Sequence, residues 1–245
     1  MPDITADHVA DWSDPARPTT LNFSDAVRAL HALGPRNRFL KTLQIGARLL
    51  DAGAGDGGLM NLRDWPEPAR PDIEIYAWAG DHRPGFARYA GFEVGFWPDD
   101  PPNFGGMAFD AIFSGNFIEH IDDPLAFVAW ACRRLQPGGR IFLEWPHPSS
   151  LYLPTTAELA ACGVSVATGA YHDDATHRPT PPGMSDIIDV LEAEGLRLSE
   201  TGQSRVSFID QQVAIQARRE NDVVAMTLAY WSYSGWLHFL MAEKA

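Results

Sequence analysis

The chain has 245 residues, 45% hydrophobic and 21% charged, the make-up of an ordinary globular protein long enough to bury a full core. Its formal net charge of −13, from 19 basic and 32 acidic side chains, disfavours nucleic acid and anionic membranes as partners, and Arg133-Arg134 and Arg218-Arg219 are isolated pairs rather than a basic patch. Met1 to Ala10 lacks a basic segment followed by an apolar stretch, no apolar run reaches bilayer length, and the two cysteines, Cys132 and Cys162, suit neither a disulfide framework nor zinc-ligand spacing, so a cytoplasmic protein with no metal site is expected.

In chain order, residues 1–20, with Pro2, Pro15 and Pro18 among aspartates, read as a loose arm. From Phe23 to Leu43 apolar residues recur at helical spacing, with a break at Gly34-Pro35. Arg48 to Ala52 is a short strand running into Gly53-Ala54-Gly55-Asp56-Gly57-Gly58, and a helix from about Leu59 to Asp64 follows, stopped at Trp65-Pro66. Ile73 to Trp78, Phe92 to Phe96 and Phe109 to Phe113 read as strands. Asp123-Pro124 opens a helix through Leu135, and Pro137-Gly138-Gly139 turns the chain into a strand at Arg140 to Glu144.

Pro146 to Pro182 is a long segment rich in Pro, His and Asp, of the kind that serves as a lid or binding loop. A helix from Met184 to Glu194 ends at Gly195, a strand spans Leu196 to Glu200, one long helix covers Ile209 to Tyr230, and Trp236 to Met241 is the last strand. Strands alternating with helices predict an α/β fold, a three-layer, doubly wound, mostly parallel sheet. The whole chain reads as one domain, with an N-terminal arm and helices over residues 1–44, a cofactor-binding half over 45–145 and an acceptor-side half with the long loop over 146–245.

The run from Asp51 to Gly58 lies where a strand hands over to a helix, an architecture used for two ligand classes. Gly53, Gly55 and Gly58 satisfy the dinucleotide pattern G-x-G-x-x-G, which alone is weak. Asp51 separates the two classes: a carboxylate there is disfavoured beside a pyrophosphate and suits a cation, the ammonium group of the amino-acid part of S-adenosylmethionine. The glycines let the backbone approach a ligand without a Cβ clash.

Asp51 to Gly57 resembles the first motif of the class I S-adenosylmethionine-dependent methyltransferases, in particular the small-molecule, bacterial type. Gly80-Asp81, the segment Phe109 to His120, Asp123-Pro124-Leu125, Leu135-Gln136-Pro137-Gly138-Gly139 and a His-Arg-Pro stretch at His177-Arg178-Pro179 extend the likeness over roughly Arg48 to Leu198. The resemblance implies a Rossmann-like seven-stranded sheet with an antiparallel last strand. It also implies that Asp51, Gly53, Ala54, Gly55, Gly57, Asp81, His82, Asn116 and an acidic residue after the third strand bind the cofactor. Trp97-Pro98 leaves that acidic residue at Asp99 or Asp100.

The implied reaction moves a methyl group from S-adenosylmethionine to a small-molecule acceptor, oxygen favoured, leaving S-adenosylhomocysteine. Leu151-Tyr152-Leu153 and Trp231-Ser232-Tyr233 would suit an apolar or aromatic acceptor. His120, His147, His172 and His177 follow strands four and five, where an open parallel sheet places its ligands. Of these, His147, then His177 and His120, are the candidate bases, His147 held between Pro146 and Pro148. Two other readings use the same glycines: a non-catalytic S-adenosylmethionine-binding partner protein, and a nicotinamide-dependent oxidoreductase, which Asp51 weakens.

Overall fold

The computed structural model describes residues 4–245. Its strands are β1 (Arg48–Ala52), β2 (Glu74–Ala79), β3 (Gly91–Val94), β4 (Phe109–Gly115), β5 (Leu135–Pro146), β6 (Leu196–Gln203) and β7 (Leu237–Lys244). They form one seven-stranded sheet in the order β3-β2-β1-β4-β5-β7-β6. The pairs β1–β2, β1–β4, β2–β3 and β4–β5 are parallel. On β7 the chain turns round: Ser199 Oγ donates to Met241 O and Thr201 Oγ1 to Phe239 O, so residue numbers rise along β6 as they fall along β7. The predicted fold class is therefore the observed one. The chain winds from β1 outward to β3 and then returns to the other side of β1, so the carboxyl ends of β1 and β4 flank the switch point, where such sheets bind ligands.

The helices are α1 (Ala6–Trp12), α2 (Phe23–Leu33), α3 (Pro35–Lys41), α4 (Gly58–Asp64), α5 (Pro124–Arg133), α6 (Thr156–Ala161), α7 (Met184–Ala193), α8 (Ile209–Glu220) and α9 (Val223–Ser234). The chain folds into two compact units, neither continuous in sequence. One comprises Arg36–Trp145, Arg178–Gly202 and Phe239–Ala245 and contains most of the sheet. Its strands alternate: Leu50, Ala52, Ile112, Ile141 and Leu143 pack against Phe127 and Val128 of α5 and Ile187 and Leu191 of α7. Leu49, Ile75, Ala77, Ala111 and Phe113 pack on the other side with Phe39 and Leu40 of α3 and Leu59 and Met60 of α4. Both faces are apolar because both are covered.

The second unit comprises Met1–Pro35, Pro146–His177 and Gln203–His238 and is mainly helical. Val9, Ala26, Leu30, Leu159, Val213, Ala214, Met226 and Tyr230 form its core.

Several elements differ from the sequence reading, and β5 begins at Leu135, five residues before the expected Arg140. The arm contains a helix, α1, because the Thr5 hydroxyl caps His8 N–H and Val9 is fully buried. The long segment after β5 contains α6, held by a capping box between Thr155 and Glu158. The single helix expected from Ile209 to Tyr230 is two, because Asn221 takes a left-handed conformation (φ 54°) and Asp222 caps Ala225 N–H to start α9. β3 stops at Val94 because the chain bends back just after it, Asp100 N–H donating to Phe96 O.

Candidate functional site

β1 places Asp51 opposite Ala77 of β2 and Phe113 of β4. By the strand's two-residue alternation it shares the Leu49 face, beneath α3 and α4, and it is 3% exposed. Tyr89 Oη donates a hydrogen bond to Asp51 Oδ2 at 2.8 Å. Burial pushes the carboxyl up to about 7, against the Tyr89 hydrogen bond and the positive charge of Arg36, which hold it down. Arg36, in α3, pairs through Nε with the buried Glu144 of β5, and its Nη2 lies 3.3 Å from where a Cβ on Gly115 would stand.

The turn after β1 is fixed at its start and open in its middle. The N–H groups of Gly53 and Ala54 both donate to Trp78 O, at 2.9 and 3.0 Å, tying the turn to the end of β2. Gly53 has φ 78° and a Cβ there would come 2.6 Å from Phe117 Cγ, so only glycine fits. Above Gly55 (φ 50°) the nearest atom to an added Cβ is Gly53 O at 3.9 Å. This is bare backbone that a ligand can approach, so the turn fits the cofactor implied by the motif.

Asp81 lies just beyond β2 with 74% of its side chain exposed, 3.6 Å from Arg83. His82 packs on Phe86 and Phe92. The exposed Phe96 ring lies over Gly80, where a Cβ would come 2.5 Å from it. Asp99 and Asp100 are exposed in the bend after β3. Asn116, just past β4, has φ 55° and donates its N–H to Glu144 O at 2.9 Å. Its Oδ1 and the neighbouring Ser114 Oγ are buried without a protein partner among the described residues. Asp51, the glycines, Asp81, His82, Asn116 and both candidate acidic residues thus lie along the carboxyl edge of β1 to β4.

The histidines are placed differently. His120 is at the surface, its Nε2 4.0 Å from Glu119 Oε1. His147 belongs to the mainly helical unit. Its Nδ1 accepts from Ser149 N–H at 3.0 Å, which puts the proton of the neutral ring on Nε2. Burial and the charge of Arg205 hold its pKa below the ordinary imidazole value. In His177 Nδ1 is 2.7 Å from Tyr171 O, a group that can only accept, so in the neutral ring Nδ1 carries the hydrogen and Nε2 the lone pair, and Nε2 lies 3.7 Å from Asp174 Oδ2. His172 packs edge-on to Tyr171. In this unit Tyr152 and Leu153 line a cavity of about 460 Å³ with Ile4, Pro154, Ala161 and Cys162.

Arg36, Tyr89 and Glu144 are the site residues that the sequence does not reveal. Tyr89 is 38 positions from Asp51, and Arg36 is 108 from Glu144, separations across which no motif spacing operates.

A family model described as a methyltransferase domain matches residues 26–200. The fold is similar to that of an S-adenosylmethionine dependent methyltransferase from Mesorhizobium loti, with 14% identity and a TM-score of 0.55 over 86% of this chain and 96% of that one. It is also similar to the mycolic acid cyclopropane synthase CmaA1 complexed with SAH and CTAB, with 15% identity and a TM-score of 0.51 over 97% and 94%. No curated protein matches the sequence significantly. No helix among the described residues is long and apolar enough to cross a membrane.

Proposed function

Since the chain belongs to the methyltransferase-domain family, whose model spans residues 26–200, we propose that it binds S-adenosylmethionine at the Asp51 to Gly57 turn and passes the methyl group to a small-molecule acceptor, oxygen favoured. The observation that carries this reading is the buried carboxylate of Asp51 at the end of β1, beside a turn whose middle is bare backbone. A cationic amino group suits that carboxylate and a pyrophosphate does not, which weighs against a nicotinamide dinucleotide.

In this proposal each residue has a distinct task. Asp51 takes the ammonium group, and Arg36, anchored on Glu144, faces the α-carboxylate. Asp81 accepts from the ribose hydroxyls. Phe96, His82 and one of Asp99 and Asp100 flank the adenine, and Asn116 Oδ1 offers an acceptor beside the turn. The bound sulfonium supplies an already activated methyl group, so the chain's main work is to position the acceptor and exclude water. Where the acceptor is a hydroxyl, the base in this proposal is His177, whose neutral ring, donating from Nδ1 to Tyr171 O, keeps its lone pair on Nε2. His147 is better suited to donate from Nε2, with His120 a further candidate.

The test is formation of S-adenosylhomocysteine from S-adenosylmethionine with a panel of phenols, carboxylic acids and amines. On this reading His177→Ala lowers turnover about 100-fold or more with cofactor affinity unchanged. Cofactor binding with no turnover of any acceptor would favour the non-catalytic partner protein.

A further inference from the structure

Tyr89 belongs to no motif, yet it touches both ends of the glycine turn. Its hydroxyl donates to Asp51 Oδ2 at 2.8 Å, while a Cβ on Gly57 would stand 3.3 Å from its ring at Cε2 and 3.5 Å from its hydroxyl. The residue is 8% exposed, held by its own N–H to Phe86 O and by an edge-on contact with the Phe86 ring at 5.6 Å. Gly57 has φ 83° and is the residue from which α4 starts. One side chain, delivered from the connection between β2 and β3, therefore fixes the carboxylate that opens the motif and packs on the glycine that closes it.

We propose that Tyr89 is a positioning residue of the cofactor pocket: its hydroxyl holds and aims the Asp51 carboxylate for the ammonium group, and its ring sets the backbone at Gly57. The inference rests on the cofactor reading above. A tyrosine is apt because it can fill the buried space with carbon and still donate a hydrogen bond. Burial and the nearby Asp51 push its own ionisation far above the ordinary phenol value, so it remains a donor at any working pH. The other charged groups around the pair are Arg36 from α3, itself bound to Glu144 of β5, and Arg88 on the Tyr89 side. With those in place, the Tyr89 bond opposes the burial that would otherwise keep Asp51 protonated.

The test is calorimetric titration of the full chain with S-adenosylhomocysteine from pH 5.5 to 8.5. Wild-type affinity falls as pH drops through the Asp51 titration, and Tyr89→Phe moves that midpoint up by about one pH unit, so that affinity at pH 6 falls roughly tenfold. In Asp51→Asn the pH dependence disappears, and adding Tyr89→Phe changes nothing further in its profile. Uniform 3-fluorotyrosine labelling, which exchanges only one ring hydrogen for fluorine, makes the phenol a stronger donor and moves the midpoint down. A midpoint unmoved by either change, in a protein that binds the ligand, overturns the role of Tyr89. No binding by the wild type at any pH overturns the cofactor reading instead.

Discussion

Asp51, near the end of β1, is 3% exposed and bonded to Tyr89, whereas Asp81, just beyond neighbouring β2, keeps 74% of its side chain in solvent near Arg83. The first carboxylate is expensive to ionise, and burial drives its pKa up to about 7. The second is hydrated and inexpensive to keep charged. The difference follows from where each side chain falls on the sheet. Asp51 lies within the strand, on the face that α3 and α4 cover, and Asp81 lies past the last strand residue, with most of its side chain in solvent. A buried carboxylate recognises a cation strongly because it lacks water to compete with it, while an exposed one recognises hydroxyls by geometry at little cost to the fold.

The comparison can be broken most directly at Asp51. Raising its pKa from 3.8 to about 7 corresponds to about 4 kcal/mol at 1.36 kcal/mol per unit. The sign is destabilising: between pH 4 and 7 the unfolded chain releases a proton that the folded chain retains, so this cost grows as pH rises and is complete above about pH 7. Asp51→Asn should therefore raise the melting temperature of the ligand-free protein at pH 8 and leave it nearly unchanged at pH 4, as thermal melts across pH would read. The same change should lower affinity for S-adenosylhomocysteine, so stability and binding move in opposite directions. A variant less stable than wild type at pH 8 would mean that the carboxylate is needed for the fold itself.

Asp81→Ala should do the converse in part. Affinity for S-adenosylhomocysteine falls by about 2 kcal/mol, roughly thirtyfold, and stability stays within about 0.5 kcal/mol, since the side chain is mostly in solvent. Equal affinity in calorimetry would remove Asp81 from the site. Gly55→Ala should cost the fold about 1 kcal/mol, from its left-handed backbone alone, because the added methyl meets open space. The methyl would nevertheless stand where the ligand approaches, so a binding loss larger than the stability loss is the expected signature, read by melting and titration of the same variant.

The first of these carboxylates is legible in the sequence because its information is local. Asp51 and its glycines follow one another along seven residues, and β1 has the bounds, Arg48 to Ala52, that the sequence suggests. Asp81 is placed by its motif, but its exposure is not visible there. The partners of Asp51 are hidden, because Tyr89 and Arg36 reach it through folded space. The mainly helical unit is the least legible: its three stretches lie far apart in sequence, and Asn221, which divides α8 from α9, looks like any polar residue within a helical pattern. The contacts of the histidines are hidden for a related reason. Flanking prolines single out His147 in the sequence, whereas the contacts of its Nδ1 with Ser149 N–H and of His177 Nδ1 with Tyr171 O belong to the folded chain.

The central claim is that the turn from Asp51 to Gly57 holds S-adenosylmethionine, and the most direct measurement is the melting shift of the intact chain with S-adenosylhomocysteine set beside that with NADH. At a hundredfold excess over its dissociation constant, a ligand that binds the native chain alone adds about 2.7 kcal/mol. The account predicts a clear upward shift with S-adenosylhomocysteine and none with NADH. A shift with NADH and none with S-adenosylhomocysteine would contradict it.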